Sequence, residues 1–135
     1  MPTLLDILTL ARIIVDELPR TGLREEILSR YGIIYAFMLL TDNGHAPPII
    51  SGFRSLDEQH ELNHKWERGE TTNKPARRSW HTEGLAIDVF TRWPKFSVFK
   101  DLWVLFGGRW GGSFGRPDTP HFDFPIKGIT PKPAF

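Results

Sequence analysis

Apolar positions in the first forty residues recur at helical intervals. In "TLLDILTLARIIVDE", Leu4, Leu8, Ala11 and Val15 fall on one face, and Thr3 with Asp6 has the form of a capping box. This predicts an amphipathic helix packed on the domain by that face. A second helix is predicted over 24–44, "REEILSRYGIIYAFMLLTDNG", stopped by Asn43-Gly44 and Pro47-Pro48. The period then changes. "PPIISGFR" (47–54) reads as a short strand, and "SLDEQHELNHKWERG" (55–69) as a third helix, with Ser55 and Glu58 as its capping box and Gly69 as its stop. After the polar loop "ETTNKPARR" (70–78), "GLAIDVF" (84–90) alternates like a strand and "FSVFKDLWVLFG" (96–107) is a compact apolar helix. "GGRWGGSFGRPDT" (107–119) is a Gly-rich loop, "PHFDFP" (120–125) a final strand, and 126–135 a Pro-rich tail.

Helices first and strands later, without βαβ alternation, predict an α+β fold: N-terminal helices packed on a small antiparallel sheet. The 135 residues suit one domain, with 1–45 as helical support. Composition is that of an ordinary globule, 40% hydrophobic and 24% charged. A formal charge of +1, with no Lys/Arg block, gives no reason to expect a nucleic-acid partner. The chain has no cysteine, so any metal must be held by histidines and carboxylates. The N-terminal apolar run lacks a basic segment before it and a small-residue cleavage site after it, and Asp6 and Arg12 interrupt it. Synthesis in the cytoplasm without a signal peptide is therefore expected. No stretch is long enough and free enough of charge for membrane insertion.

Two segments compete for metal chemistry. "HELNH" (60–64) is an H-E-x-x-H pattern, in which His60 and His64 would hold zinc and Glu61 would serve as base. Helix geometry opposes it. At about 100° per residue, Leu56, Leu62 and Trp66 cluster on one side with Gln59 and Asn63 between them, which turns His60 and His64 toward solvent. The extended form of the motif also fails, because Glu67 stands where glycine is required. Two surface histidines on an exposed helix are expected.

The second segment behaves differently. In "LAIDV", Leu85, Ile87 and Val89 alternate with Ala86 and Asp88; in "PHFDF", Phe122 and Phe124 alternate with His121 and Asp123. Two strands presenting polar groups on one sheet face could share an ion. His81 could join them only if the chain turned sharply. Seven extended residues span about 23 Å, whereas ligands of one zinc hold their donors about 3–4 Å apart. Gly84, tolerant of positive φ, could allow that turn. Taken singly, Gly84 as an ordinary turn, Asp88 as a strand-edge carboxylate and His121 as a core histidine are plainer readings.

Together these residues carry a resemblance. "SWHTEGLAID" resembles the S-x-H-x-x-G-x-A-x-D motif of the zinc D-alanyl-D-alanine carboxypeptidases, D,D-dipeptidases and phage L-alanyl-D-glutamate endopeptidases. "SGFRS" (51–55) resembles their upstream S-G-[YF]-R-S segment, and "GRWGGSFGRPDTPHFD" their W-G-G and [DE]-x-x-H-[FV]-[DE] segment. The three motifs occur in the family's order over about residues 48–125, the motif-bearing core.

The resemblance implies one catalytic zinc held by His81, Asp88 and His121, with a fourth position open. It implies Asp118 as the carboxylate that moves the proton and Arg54 as the arginine that holds a substrate carbonyl or carboxylate. It makes Ser79 a substrate contact and Trp110 part of the cleft wall. The chain has Asp118 where many members have Glu, although the phage endopeptidase branch uses Asp there. It also has Asp123 where Glu is usual, a shorter side chain that leaves any role behind His121 open. The implied substrate is a peptidoglycan stem peptide. The L-alanyl-D-glutamate bond is preferred over the D-alanyl-D-alanine bond, and a monomer would act on the cell wall after release. The same fold also serves as a non-catalytic, zinc-bearing binding module, which is the competing class.

Overall fold

The computed structural model describes residues 1–18, 22–41 and 47–135. Four helices, α1 (Leu4–Glu17), α2 (Glu25–Leu40), α3 (Leu56–Glu67) and α4 (Phe96–Leu105), accompany a four-stranded antiparallel sheet. Its strands are β1 (Ile49–Ser51), β2 (Ala86–Val89), β3 (Arg109–Trp110) and β4 (His121–Asp123), in the order β1-β2-β4-β3. The α+β expectation holds. Among the described residues no helix is long and apolar enough to cross a membrane.

Both capping boxes form. Thr3 and Asp6 exchange hydrogen bonds at the start of α1, as do Ser55 and Glu58 at the start of α3. The buried face of α1 is offset from the expected one. Ala11 and Val15 are buried, but Leu4 and Leu8 are 71% and 45% exposed. The helix packs by its second half along α2, with Ile14 and Leu18 against the core, and in its first two turns only Ile7 and Leu10 are half-buried. Gly32 of α2 permits this crossing, since a Cβ there would come 2.6 Å from Val15. Helix α2 ends at Leu40, with the Thr41 N–H returning to Phe37 and Met38. The expected Asn43-Gly44 stop lies outside the described residues. Pro47 and Pro48 instead tie the connection down, their carbonyls accepting from the Tyr31 hydroxyl at 3.3 Å and the Phe90 N–H at 3.0 Å.

The core lies between α2, α4 and one face of the sheet. Ile27, Ile34 and Met38 of α2 meet Ile87 and Val89 of β2, and Phe99 and Trp103 of α4 stack on each other and against Phe122 of β4. Because side chains alternate along a strand, Ile87 and Phe122 spend one sheet face on this core and leave the other to their polar neighbours. Register then decides what meets. Ile87 is opposite Phe122, Asp88 opposite His121, and Ala86 opposite Asp123.

Three short elements carry no periodic signal, two of them inside the Gly-rich stretch expected to be loop. A single 3-10 turn covers Trp80–Glu83, and β3 with a second 3-10 turn interrupts the Gly-rich stretch. The Pro-rich tail also has structure. Ile126 and Ile129 pack on the core, Pro131 is buried, and Arg78 pairs with Pro133 in an isolated antiparallel bridge.

Candidate metal centre

Strand pairing brings the first two groups together. Asp88 and His121 are direct partners across β2 and β4, pointing away from the core. His81 arrives by the 3-10 turn. The Ser79 hydroxyl accepts from the His81 N–H at 3.2 Å to start it, and Gly84 ends it at φ 70. The Leu85 N–H returns to the Trp80 carbonyl at 3.0 Å, folding the segment between His81 and Asp88 back on itself. Only glycine suits position 84. A Cβ there would lie 2.3 Å from the Gly22 carbonyl oxygen, in a backbone conformation that already disfavours side chains.

His81 Nε2 lies 3.3 Å from Asp88 Oδ1, and His121 Nδ1 lies 3.7 Å from the same oxygen. One donor atom from each of the three residues falls within 4.8 Å of the others. Ligands about 2.0–2.1 Å from a tetrahedral ion are about 3.3 Å apart, so the spacing suits a small divalent cation. Both histidines are buried, and the Asp88 side chain is 17% exposed.

The nitrogens that face away from this point are occupied. His81 Nδ1 is 2.7 Å from the Gly52 carbonyl, which accepts its proton and leaves the Nε2 lone pair directed at the centre. His121 Nε2 is 2.7 Å from Asp123 Oδ2, which leaves Nδ1 for the centre. Asp123 is fully buried and takes a bidentate pair from Arg109, both distances 2.8 Å. Ring-orienting partners of this kind accompany metal-ligating histidines. The shorter side chain at position 123 therefore does reach His121. The three residues fit a metal in type, spacing and support, and could hold an ion.

Their electrostatics agree with a cation site. Burial raises the Asp88 pKa, but hydrogen bonds from His121 and His81 outweigh it and hold the carboxyl well below the usual range. Burial likewise opposes charge on His121, yet Asp123 and Asp88 together push its pKa up to about 9. Asp123, against the pull of burial, is held below the ordinary carboxylate range by His121 and Arg109. Two carboxylates, Asp88 and Asp123, thus favour positive charge at His121, where a bound cation would take the place of the proton.

The centre opens into a cleft of about 1070 Å³. Asp118 lies on its rim, with its side chain 58% exposed and Oδ2 3.9 Å from His121 Nδ1. The turn holding it closes on Gly111. The Asp118 N–H donates to the Gly111 carbonyl at 2.8 Å, and a Cβ on Gly111 would come 2.1 Å from the Asp118 carbonyl oxygen. Arg54 also lines the cleft, half-buried. Its guanidinium donates to Gln59 Oε1 at 2.7 Å and Ser51 Oγ at 3.2 Å, and lies 3.7 Å from Asp88 Oδ2. A bulge in β1, where Ile49 faces Val89 but Ser51 faces Asp88, sets this segment beside the ligands.

Ser79 and Trp110 sit less directly. Ser79 borders the cleft, but it is 7% exposed and its oxygen caps the His81 turn. Trp110 turns away from the cleft, toward Phe96 and Lys100, and its indole N–H holds the Thr119 carbonyl at 2.8 Å. Phe114, whose ring centroid is 5.7 Å from that of His121, forms the aromatic wall instead.

His60 and His64 stay apart from all this. Their rings lie 4.5 Å apart on α3, outside the cleft lining, while Gln59 and Asn63 are the buried residues of that helix. Leu56, expected on the buried side, is 39% exposed. Sequence reasoning did not anticipate Gln59 as the brace of Arg54, nor Arg109 and the Gly52 carbonyl as supports of the centre. The position of Gln59 between Leu56 and Leu62 was a usable signal. A backbone carbonyl leaves none. Compared with protein-family models and with curated proteins, the chain matches none.

Proposed function

We propose that the chain is a zinc-dependent peptidase that hydrolyses stem-peptide bonds of bacterial peptidoglycan, with the L-alanyl-D-glutamate bond as the preferred target. The observation that carries this proposal is the pairing of a buried His81–Asp88–His121 cluster with an exposed carboxylate, Asp118, 3.9 Å from one of its ligand nitrogens. A purely structural metal site has no need of a free carboxylate at its mouth. The motifs around these residues, and their resemblance to the wall peptidases, supply the substrate class.

His81 Nε2, Asp88 Oδ1 and His121 Nδ1 would hold the zinc. When bound, zinc supplies Lewis acidity, polarising a carbonyl and making water a competent nucleophile at neutral pH. The chain's own groups do the rest. Asp118 takes the proton from the attacking water and returns it to the departing amine, a task that suits an accessible carboxylate. Arg54, anchored by Gln59 and Ser51, keeps a planar donor fork beside the ligands, where it orients and polarises a substrate carbonyl. Asp123 and the Gly52 carbonyl fix the imidazole tautomers. The chain would act on the wall from outside the compartment of its synthesis, as a phage endolysin does.

The test is digestion of purified peptidoglycan by the zinc-loaded and the chelated protein, with released fragments weighed by mass spectrometry. Zinc-dependent release of fragments ending at L-alanine, with D-glutamate at the new amino terminus, is expected. Tight zinc binding with no release from several wall types would instead make the chain a binding module of the same fold.

A further inference from the structure

The cleft has a charge that the whole chain does not. The formal charge of the sequence is +1. Yet six cations line this one depression, Arg54, Lys74, Arg77, Arg78, Arg109 and Arg116. Only three carboxylates stand against them, Asp88, Asp118 and Asp123. A bound dication would widen the imbalance. Focused positive charge between low-dielectric walls attracts anions far more strongly than the net charge of the molecule suggests.

Most of the six are already engaged. Arg109 is paired with Asp123, Arg54 is bonded to Gln59 and Ser51 near Asp88, and Lys74 lies over the Trp66 ring at 5.1 Å. Arg77 donates to the Phe135 carbonyl oxygen. Arg78 and Arg116 differ from the rest. Arg78 donates to the Pro131 carbonyl at 2.8 Å, an acceptor that satisfies one N–H without neutralising the charge. Its backbone is fixed by the bridge to Pro133 and by the Ala134 N–H on the Arg77 carbonyl at 2.8 Å. Arg116 is exposed, two residues before Asp118, and among the described residues it makes no hydrogen bond or ion pair. One guanidinium stands on a braced segment next to Ser79; the other, unpaired among the described residues, belongs to the same cleft lining as the proton-moving carboxylate two residues on.

We infer that Arg78 and Arg116 form an anion subsite at the rim of the metal cleft, which selects peptides with a free carboxylate near the cleaved bond over the same peptides with a carboxamide there. The peptide class rests on the proposed function. The discrimination follows from donor chemistry. A guanidinium presents only donors, and a carboxylate meets them with two accepting oxygens. A carboxamide offers one oxygen, and its NH₂ faces donors it cannot satisfy.

The experiment uses the full, zinc-loaded chain carrying Asp118→Asn, to stop turnover, and two labelled peptides, one containing D-glutamate and the other D-isoglutamine. Fluorescence anisotropy at low salt should give about tenfold tighter binding of the acidic peptide. That preference should shrink toward 0.5 M salt, where the screening length is only a few ångströms, about 4 Å. Arg116→Gln, which removes no hydrogen bond or ion pair among the described residues, should lower the preference about threefold, and Arg78→Gln with Arg116→Gln should abolish it. Equal binding of the two peptides, or a preference that survives in the double variant, overturns the subsite. So does a phosphodiester oligonucleotide of equal charge that binds as tightly as the acidic peptide. Wild-type cleavage separates the two ideas. Equal kcat/KM on both peptides sinks the subsite alone, whereas selective binding without cleavage of peptide or wall sinks the peptidase and leaves the subsite standing.

Discussion

Helix α3 and the β2–β4 pair present the same kinds of side chain, yet only the strands gather them around one point. On α3, His60 and His64 are one turn apart with Glu61 beside them, and their rings nearly touch. Even so, the helix buries Gln59 and Asn63 and turns both rings away from the cleft. In the sheet, Asp88 and His121 are thirty-three residues apart in sequence, and a single register pairing sets them side by side. A short motif fixes the distance between two groups but not the direction they face. Ligation depends on direction as well: the outer nitrogens of His81 and His121 are already held by Gly52 and Asp123, and those of His60 and His64 have no such partners among the described residues.

The strongest way to break the comparison is to remove one histidine from each region and measure bound zinc by elemental analysis after dialysis. His81→Ala and His121→Ala should lose the metal, while His60→Ala and His64→Ala should keep one zinc per chain. Loss of zinc from the His60 and His64 variants alone would move the centre to α3 and end the proposal made for the sheet.

Asp118→Ala sharpens the same contrast from the side of chemistry. It should retain zinc and fold while hydrolysis falls by about 10²–10⁴, the usual contribution of a positioned acid–base group. Wall digestion at undiminished rate by this variant would take the proton-moving role away from Asp118. A parallel Glu61→Ala variant, which alters the glutamate of HELNH, should digest wall at the wild-type rate.

Support behind the ligands comes next in size. Asp123→Asn keeps the shape but weakens the hold on His121 Nε2 and removes half of the Arg109 pair. Zinc affinity, read by competition with a chromophoric chelator, should drop about 10–100-fold. Unchanged affinity would mean that the position of His121 is set by the strand alone.

These cases also mark what the sequence made legible. Alternation in "LAIDV" and "PHFDF" sufficed to put Asp88, His121 and Asp123 on one face, because sheet geometry is periodic and side-chain identity reports it. Side-chain length was a poorer guide. The shorter Asp123 left a role behind His121 open, but His121 is two residues away on the same strand and Arg109 is the register partner on β3, so an aspartate reaches both. The helical stripe of α1 was legible as a helix and misleading as a contact map, since Leu4 and Leu8 of the stripe are exposed while Ala11 and Val15 are buried. Strand β3 and the Trp80–Glu83 turn left no periodic trace, being too short to repeat. Nor could the tail's docking be foreseen, because prolines read as breakers and the bridge at Pro133 depends on Arg78 far away in sequence.

The smallest expected effect concerns how each region is held together. Helix α3 is secured at its start by its own sequence, through the exchange between Ser55 and Glu58 at 3.0 and 3.1 Å. The metal centre is secured by long-range pairing. Ser55→Ala should therefore cost about 1 kcal/mol of stability in urea unfolding while zinc affinity stays at the wild-type value. The partner in the box gives a pH signature. Hydrogen bonds from the Ser55 backbone N–H and hydroxyl hold the Glu58 carboxyl below its ordinary range, so its contribution is present above the unfolded-state pKa. That contribution is lost as pH falls through the lower folded value. The stability difference between wild type and Glu58→Gln should accordingly be constant near neutrality and shrink on acidification below about pH 4. If Ser55→Ala instead weakened zinc binding, α3 would be part of the centre's framework, acting through Gln59 and Arg54, and the separation between the two regions would no longer hold.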